Sequence, residues 1–187
     1  MRQLDLSYSF RDDLRSWPNN PDDMQSFVEA ELGELFNMQI NLSDQVVARD
    51  FVKRLGVVAN YLKTLRRVDE ALVSFEKIDA YINQYGLGAK TLLVNNLRRA
   101  DALRYKNEFA AAQVLFETSL QQASQVADLK DYKDFALQHL GKLHFDMQNY
   151  RKALDFFYEA FELRKIKNEP DLLDSTLLAI RITESKI

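Results

Sequence analysis

The chain has 187 residues, enough for one sizeable domain and short for two. Apolar residues make up 47%, which excludes a disordered chain, and a formal net charge of −3 gives no global attraction to nucleic acid or membrane. The absence of cysteine excludes disulfides, thiolate metal sites and a thiol nucleophile, while 5 Gly and 3 Pro disfavour a many-stranded sheet.

Residues 1–21 hold no apolar core of signal-peptide length, and no run in the chain approaches the roughly 20 apolar residues that span a bilayer. The expectation is a soluble, cytoplasmic protein with no membrane partner. Tyr8, Phe10 and Trp17 are expected either to pack on the first helix pair or to stay mobile until a partner binds. Asn20-Pro21-Asp22-Asp23 reads as a helix start, with Pro in the first turn and acids at the positive end. It opens a lone capping helix over 22–38. Six helices follow at about 44–65, 68–85, 89–106, 108–127, 130–147 and 149–167. Ser43 is the expected N-cap of the first of these six, and Gly86 and Gly88 the expected terminators of the second. A last helix over 171–185 carries Leu172, Leu173, Leu177, Leu178 and Ile180 as an apolar stripe, predicted to cover the final pair.

An ungapped repeat organises the middle of the chain. VDEALVSFEKI (68–78), FAAAQVLFETS (109–119) and YRKALDFFYEA (150–160) step by 41 residues. The step relates Val68, Phe109 and Tyr150; Ala71, Ala112 and Ala153; and Phe75, Phe116 and Phe157. Upstream it relates Ala59, Ala100 and Gly141, and Leu62, Leu103 and His144. Small residues let two antiparallel helices approach, and the aromatic ring fills the space between neighbouring pairs. The third copy, LQHLGKLHFDMQNYRKALDFFYEAFEL, resembles a tetratricopeptide repeat through Leu140-Gly141, Tyr150, Ala153, Phe157 and Ala160. The usual length of that family is 34, and a step of 41 resembles its long-helix variants. The resemblance covers about 50–168. It implies an all-α, right-handed α-solenoid of three helix pairs with a capping helix at each end. The domain would run over 22–187, with repeat cores at about 52–82, 93–123 and 134–164.

Catalytic chemistry has little to stand on. His139 and His144 are five residues apart, roughly 140° around a helix, and cannot share a metal from one face. No phosphate loop, dinucleotide fingerprint, zinc-protease motif or calcium loop is present. The expectation is a protein that is not an enzyme and needs no cofactor or metal. Charge is patterned instead. In windows 52–65, 93–106 and 134–147, eight basic residues face three acidic ones; in 67–81, 108–122 and 149–163, four basic residues face nine acidic ones. The resemblance implies that the first helix of each pair lines a concave face. The family's groove positions then fall on Lys53, Gly56, Asn60 and Lys63; on Val94, Leu97, Asp101, Arg104 and Tyr105; and on Phe135, Gln138, Lys142 and Phe145. Arg98 adds to the basic bias. The expected function is an adaptor or regulator that binds another protein or peptide, acidic or amphipathic, with Arg98, Asp101, Arg104 and Lys142 acting on binding but not on folding. The alternatives are a scaffold that self-associates through its end helices into a homo-oligomer, and, less favoured, a nucleic-acid-associated regulator. Paired, solvated helix charges would explain the same pattern without any groove.

Overall fold

The computed structural model describes residues 3–187. Two residues of the amino-terminal segment, 1 and 2, lie outside the described residues. Two short strands, β1 (Tyr8–Phe10) and β2 (Ser16–Pro18), precede α1 (Pro21–Ile40), α2 (Gln45–Thr64), α3 (Val68–Tyr85), α4 (Ala89–Tyr105), α5 (Phe109–Gln125), α6 (Lys133–Asp146), α7 (Tyr150–Lys167) and α8 (Pro170–Glu184). The molecule is therefore all-helical apart from one hairpin. Each helix packs on the next in sequence, and α2, α4, α6 and α8 also touch in succession. None of the described helices is long and apolar enough to cross a membrane.

The helix ends follow from local chemistry. Asn20 caps α1 by accepting from the Asp23 N–H at 3.1 Å, with Pro21 in the first turn. Asp44, not Ser43, caps α2: its Oδ1 accepts from Val46 N at 2.8 Å and Val47 N at 3.0 Å. The Ser43 hydroxyl donates to Asp44 instead. Gly86 ends α3 with φ at +60°, as expected, whereas Gly88 begins α4 as its N-cap. The helix expected from 130 starts as a 3-10 turn, Ala127–Tyr132, and becomes α-helical only at Lys133.

The 41-residue step is written into the backbone. Arg66, Asn107 and Gln148 are separated by that step and all hold positive φ, at 67°, 64° and 59°. In each turn the next residue's N–H closes on the carbonyl five back: Arg67 to Leu62, Glu108 to Leu103, and Asn149 to His144, at 2.9, 3.0 and 2.8 Å. These are the 6→1 bonds of a left-handed helix terminus, made here without glycine.

The side chains repeat as well. Ala71, Ala112 and Ala153 and the three rings Phe75, Phe116 and Phe157 are all fully buried. They sit in three successive apolar clusters. At the first-helix position the copies differ, because a Cβ on Gly141 would fall inside the van der Waals envelope of the Phe157 ring. Ala59 and Ala100 occupy the equivalent positions without exposure. The last helix buries Thr176, Ala179, Ile180 and Thr183, while Leu177 stays exposed. Of the expected stripe, Ile180 is buried and Leu172, Leu173 and Leu178 are half-buried, while Thr176, Ala179 and Thr183 supply the rest of the buried face against α7 and α6.

Gly141→Ala should destabilise the protein by roughly 1–3 kcal/mol, since the buried Phe157 ring has no free space to enter. Chemical denaturation of the variant tests this; unchanged stability would mean that the α6–α7 contact is looser than described.

Candidate functional site

The amino-terminal segment neither packs on the first helix pair alone nor stays apart. β1 and β2 pair antiparallel, with Tyr8 opposite Pro18 and Phe10 opposite Ser16. The hairpin lies across the carboxy-terminal ends of α2, α4 and α6. Its contacts there fall on Thr64, Tyr105 and Asp146, which are related by the same 41-residue step. Ser16 N donates to Tyr105 Oη at 2.6 Å, and Ser16 Oγ lies 3.0 Å from Thr64 Oγ1. Arg66 donates to the Ser16 carbonyl at 3.1 Å. Arg15 reaches Asp146 Oδ2 at 3.1 Å and the Tyr105 carbonyl at 3.2 Å. Trp17 sits between the guanidinium groups of Arg11 and Arg66, at 4.1 and 3.9 Å from its ring centre. Leu14 holds a φ of 53°, unusual for a leucine, yet is only 1% exposed. It is set among Phe145, Phe157 and Ile180, a burial that offsets the backbone strain.

Beneath the hairpin is a buried charge network. Asp101 of α4 binds Lys63 of α2 and accepts from Arg104 Nε at 2.9 Å. Arg104 also donates to Asp146 Oδ2 at 3.0 Å, and the same oxygen takes Arg15 from the hairpin. Burial alone would push the Asp101 carboxyl up, but Lys63, Arg104 and His139 beside it hold it well below the usual carboxylate range. A second network joins α6, α7 and α8. There Arg164 donates to Asp134 at 2.8 Å and to Thr176 Oγ1 at 2.8 Å.

Between the hairpin, α2, α4, α6 and α8 lies a chamber of about 580 Å³. It is lined by Asn60, Lys63, Arg98, Asp101, Tyr105, Gln138 and Lys142 among the expected groove residues, together with Val94, Leu97 and Phe135. Four expected groove residues, Lys53, Gly56, Arg104 and Phe145, do not line it. Lys53 is exposed on α2 and does not face the chamber. Arg104 is fully buried within the charge network. Phe145 packs in the core with Leu14. Gly56 faces Arg98, whose Nη1 lies 2.6 Å from where a Cβ would stand, so glycine leaves the room the guanidinium uses. The chamber also takes residues that the repeat alone did not point to. Tyr8 and Phe10 come from the hairpin, Tyr132 from the 3-10 turn, His139 from α6, Arg164 from α7, and Leu172 and Ser175 from α8.

Both histidines pack as aromatic surfaces. His139 stacks on Phe116 at 5.3 Å and His144 on Phe156 at 5.4 Å. Burial lowers the pKa of His139 to about 4, against the pull of Asp101, so the ring is neutral near neutral pH.

Lys142 is buried at 8% exposure and its ammonium faces the Phe10 ring at 4.0 Å. Burial, then the like charges of Arg104, Lys63 and Arg164, lower its pKa to about 7, with Asp101 pulling the other way. No family model, no curated protein and no solved structure matches the chain.

Asp101 and Arg104 are buried in the charge network, so their substitution should change folding stability as well as any binding. Asp101→Ala leaves the buried Lys63 without its counter-ion, Arg104 keeping Asp146, and should cost about 3–5 kcal/mol in folding stability, read by urea denaturation. Lys142→Met should act oppositely. An unfolded lysine near 10.5 binds a proton that the native Lys142 sheds above about 7. The native state therefore gains stability as pH rises between these values and is most penalised below about 7. The variant should raise Tm by about 2 °C or more in mildly acidic buffer, and the gain should shrink as pH rises; a pH-independent difference would contradict the burial of this ammonium.

Proposed function

We propose that this protein is a non-catalytic binding module of the tetratricopeptide type, a right-handed solenoid that holds a polypeptide segment on the face made by α2, α4 and α6. One observation carries the reading: the carboxy-terminal ends of α2, α4 and α6, at the edge of that face, already grip an extended polypeptide, the chain's own hairpin. Much of the grip is on main chain. Tyr105 accepts from the Ser16 N–H and Arg66 donates to the Ser16 carbonyl. Main-chain recognition tolerates varied sequences, and flanking pockets add selectivity. The cations around it favour a partner with acidic or amphipathic character. The protein would serve as an adaptor or regulator.

The test is affinity capture with mass spectrometry, comparing the wild-type chain with Arg98→Glu at matched thermal stability. A partner retained by the wild type and lost by the variant supports the reading. The same partner on both places recognition on another surface, and no partner on either argues against a polypeptide-holding role.

Self-association is a second reading. Phe36 (67%) and Ile40 (71%) are exposed on the first helix, and Leu177 (38%) on the last. A heterologous contact between unlike ends would build linear assemblies. A mass that rises with concentration supports it, and a fixed monomer excludes it.

A further inference from the structure

We propose that the chamber between the hairpin, α4, α6 and α8 is a binding site for a small organic anion, with Arg98 and Lys142 as its cationic contacts and the Gln138 amide as a neutral one. The inference stands independently of the polypeptide reading.

The argument begins with cations that lack counter-ions. Four basic side chains line the chamber: Lys63, Arg98, Lys142 and Arg164. Asp101 binds Lys63 and Asp134 binds Arg164. Among the described residues, no carboxylate lies within ion-pair distance of Arg98 or Lys142, and neither makes a hydrogen bond. Lys142 faces only the Phe10 ring at close range. Asp171 lines the chamber but is exposed at its rim.

Gln138 gives a separate signal. It is 4% exposed, lines the same chamber, and both amide atoms are buried without a hydrogen-bond partner. A buried amide left unpaired is costly, and native structures rarely keep one without a purpose. Gln138 and Lys142 are four residues apart on α6 and share a face. Across from them, Gly56 makes room for the Arg98 guanidinium. Two cations and one amide thus line a common space, the donor set suited to a carboxylate or phosphate.

The rest of the lining sets the body of the ligand. Val94, Leu97 and Phe135 supply apolar surface. The chamber's volume of about 580 Å³ falls in the range for small-molecule sites, roughly 300–1,000 Å³. Its size suits a compact ligand. The hairpin closes one side through Tyr8 and Phe10, and α8 bounds another through Leu172 and Ser175. The ligand class is an anion with one carboxylate or phosphate group on an apolar or aromatic body.

Binding should depend on the charge of Lys142. The groups facing it are Asp101 and Arg104 from α4, Lys63 from α2, Arg164 from α7 and the Phe10 ring from the hairpin. A bound anion would favour the protonated amine, so affinity should fall as pH rises above neutrality.

The experiment is isothermal titration of the full chain with benzoate and phenyl phosphate, using benzylamine as the cation of matching shape. Saturable binding of either anion at roughly millimolar concentration or below, with none for benzylamine, is expected. Arg98→Met and Lys142→Met should each weaken it about tenfold or more. The pH dependence should vanish in Lys142→Met, a variant expected to fold at least as stably as the wild type. Three outcomes would overturn the proposal: no binding of either anion at about 10 mM, equal binding by wild type and both variants, or binding of an acidic peptide with none of the aryl anions. The last would return the site to the polypeptide reading; a failed capture experiment with successful aryl-anion binding would leave the present proposal intact.

Discussion

Asp101 is the point on which the arrangement turns. It lies at 5% exposure between Lys63 of the preceding helix pair and Arg104 of its own helix. Arg104 carries the link to Asp146 of the following pair, and Asp146 carries it to Arg15 of the hairpin. A buried charge network is a poor source of net stability, because desolvation opposes the attraction. Its value lies in geometry: any sliding of one pair along its neighbour would leave a charge unpaired in a dry interior. Apolar contacts between Ala and Phe would tolerate small shifts, whereas the ion pairs do not.

The same network explains why the chamber is unsatisfied. Asp101 is already shared by Lys63 and Arg104, with His139 nearby at 3.5 Å. Among the described residues no carboxylate is left to pair directly with Lys142, which lies on α6. The structure thus concentrates positive charge at a site where the carboxylates are committed elsewhere. The overall charge of −3 conceals this, because acids dominate the second-helix windows.

Much of the fold was legible from residue types alone. The 41-residue step located both the interhelical turns and the Ala and Phe positions, because the same contact needs the same residue sizes in each pair. Helix ends set by Asn20-Pro21 and Gly86 were equally readable. The hairpin was not. Strands of three residues are too short for alternation to show, and they are held by a tertiary surface, not by their own pattern. Charge counting had a related blind spot. It assigned Lys63, Asp101, Arg104 and Lys142 to one face but could not separate a buried pair from a solvated one. Lys63 and Asp101 are 38 residues apart, and their pairing depends on how closely two helices approach. On α8 the leucines identified an apolar face, but the fully buried positions besides Ile180 are Thr176, Ala179 and Thr183, which carry no strong apolar signal.

The hairpin also has a consequence for the order of folding. Residues 8–18 precede all the helices in sequence, yet their anchors include Tyr105, Asp146 and Ile180. The helix pairs can assemble from contacts local in sequence, which form fast, whereas the hairpin must close loops of 89 residues to Tyr105 and 131 to Asp146. In this order the hairpin docks after the helix pairs. Until then the apolar surfaces of Leu14 and Trp17, which the docked hairpin covers, are open to other contacts.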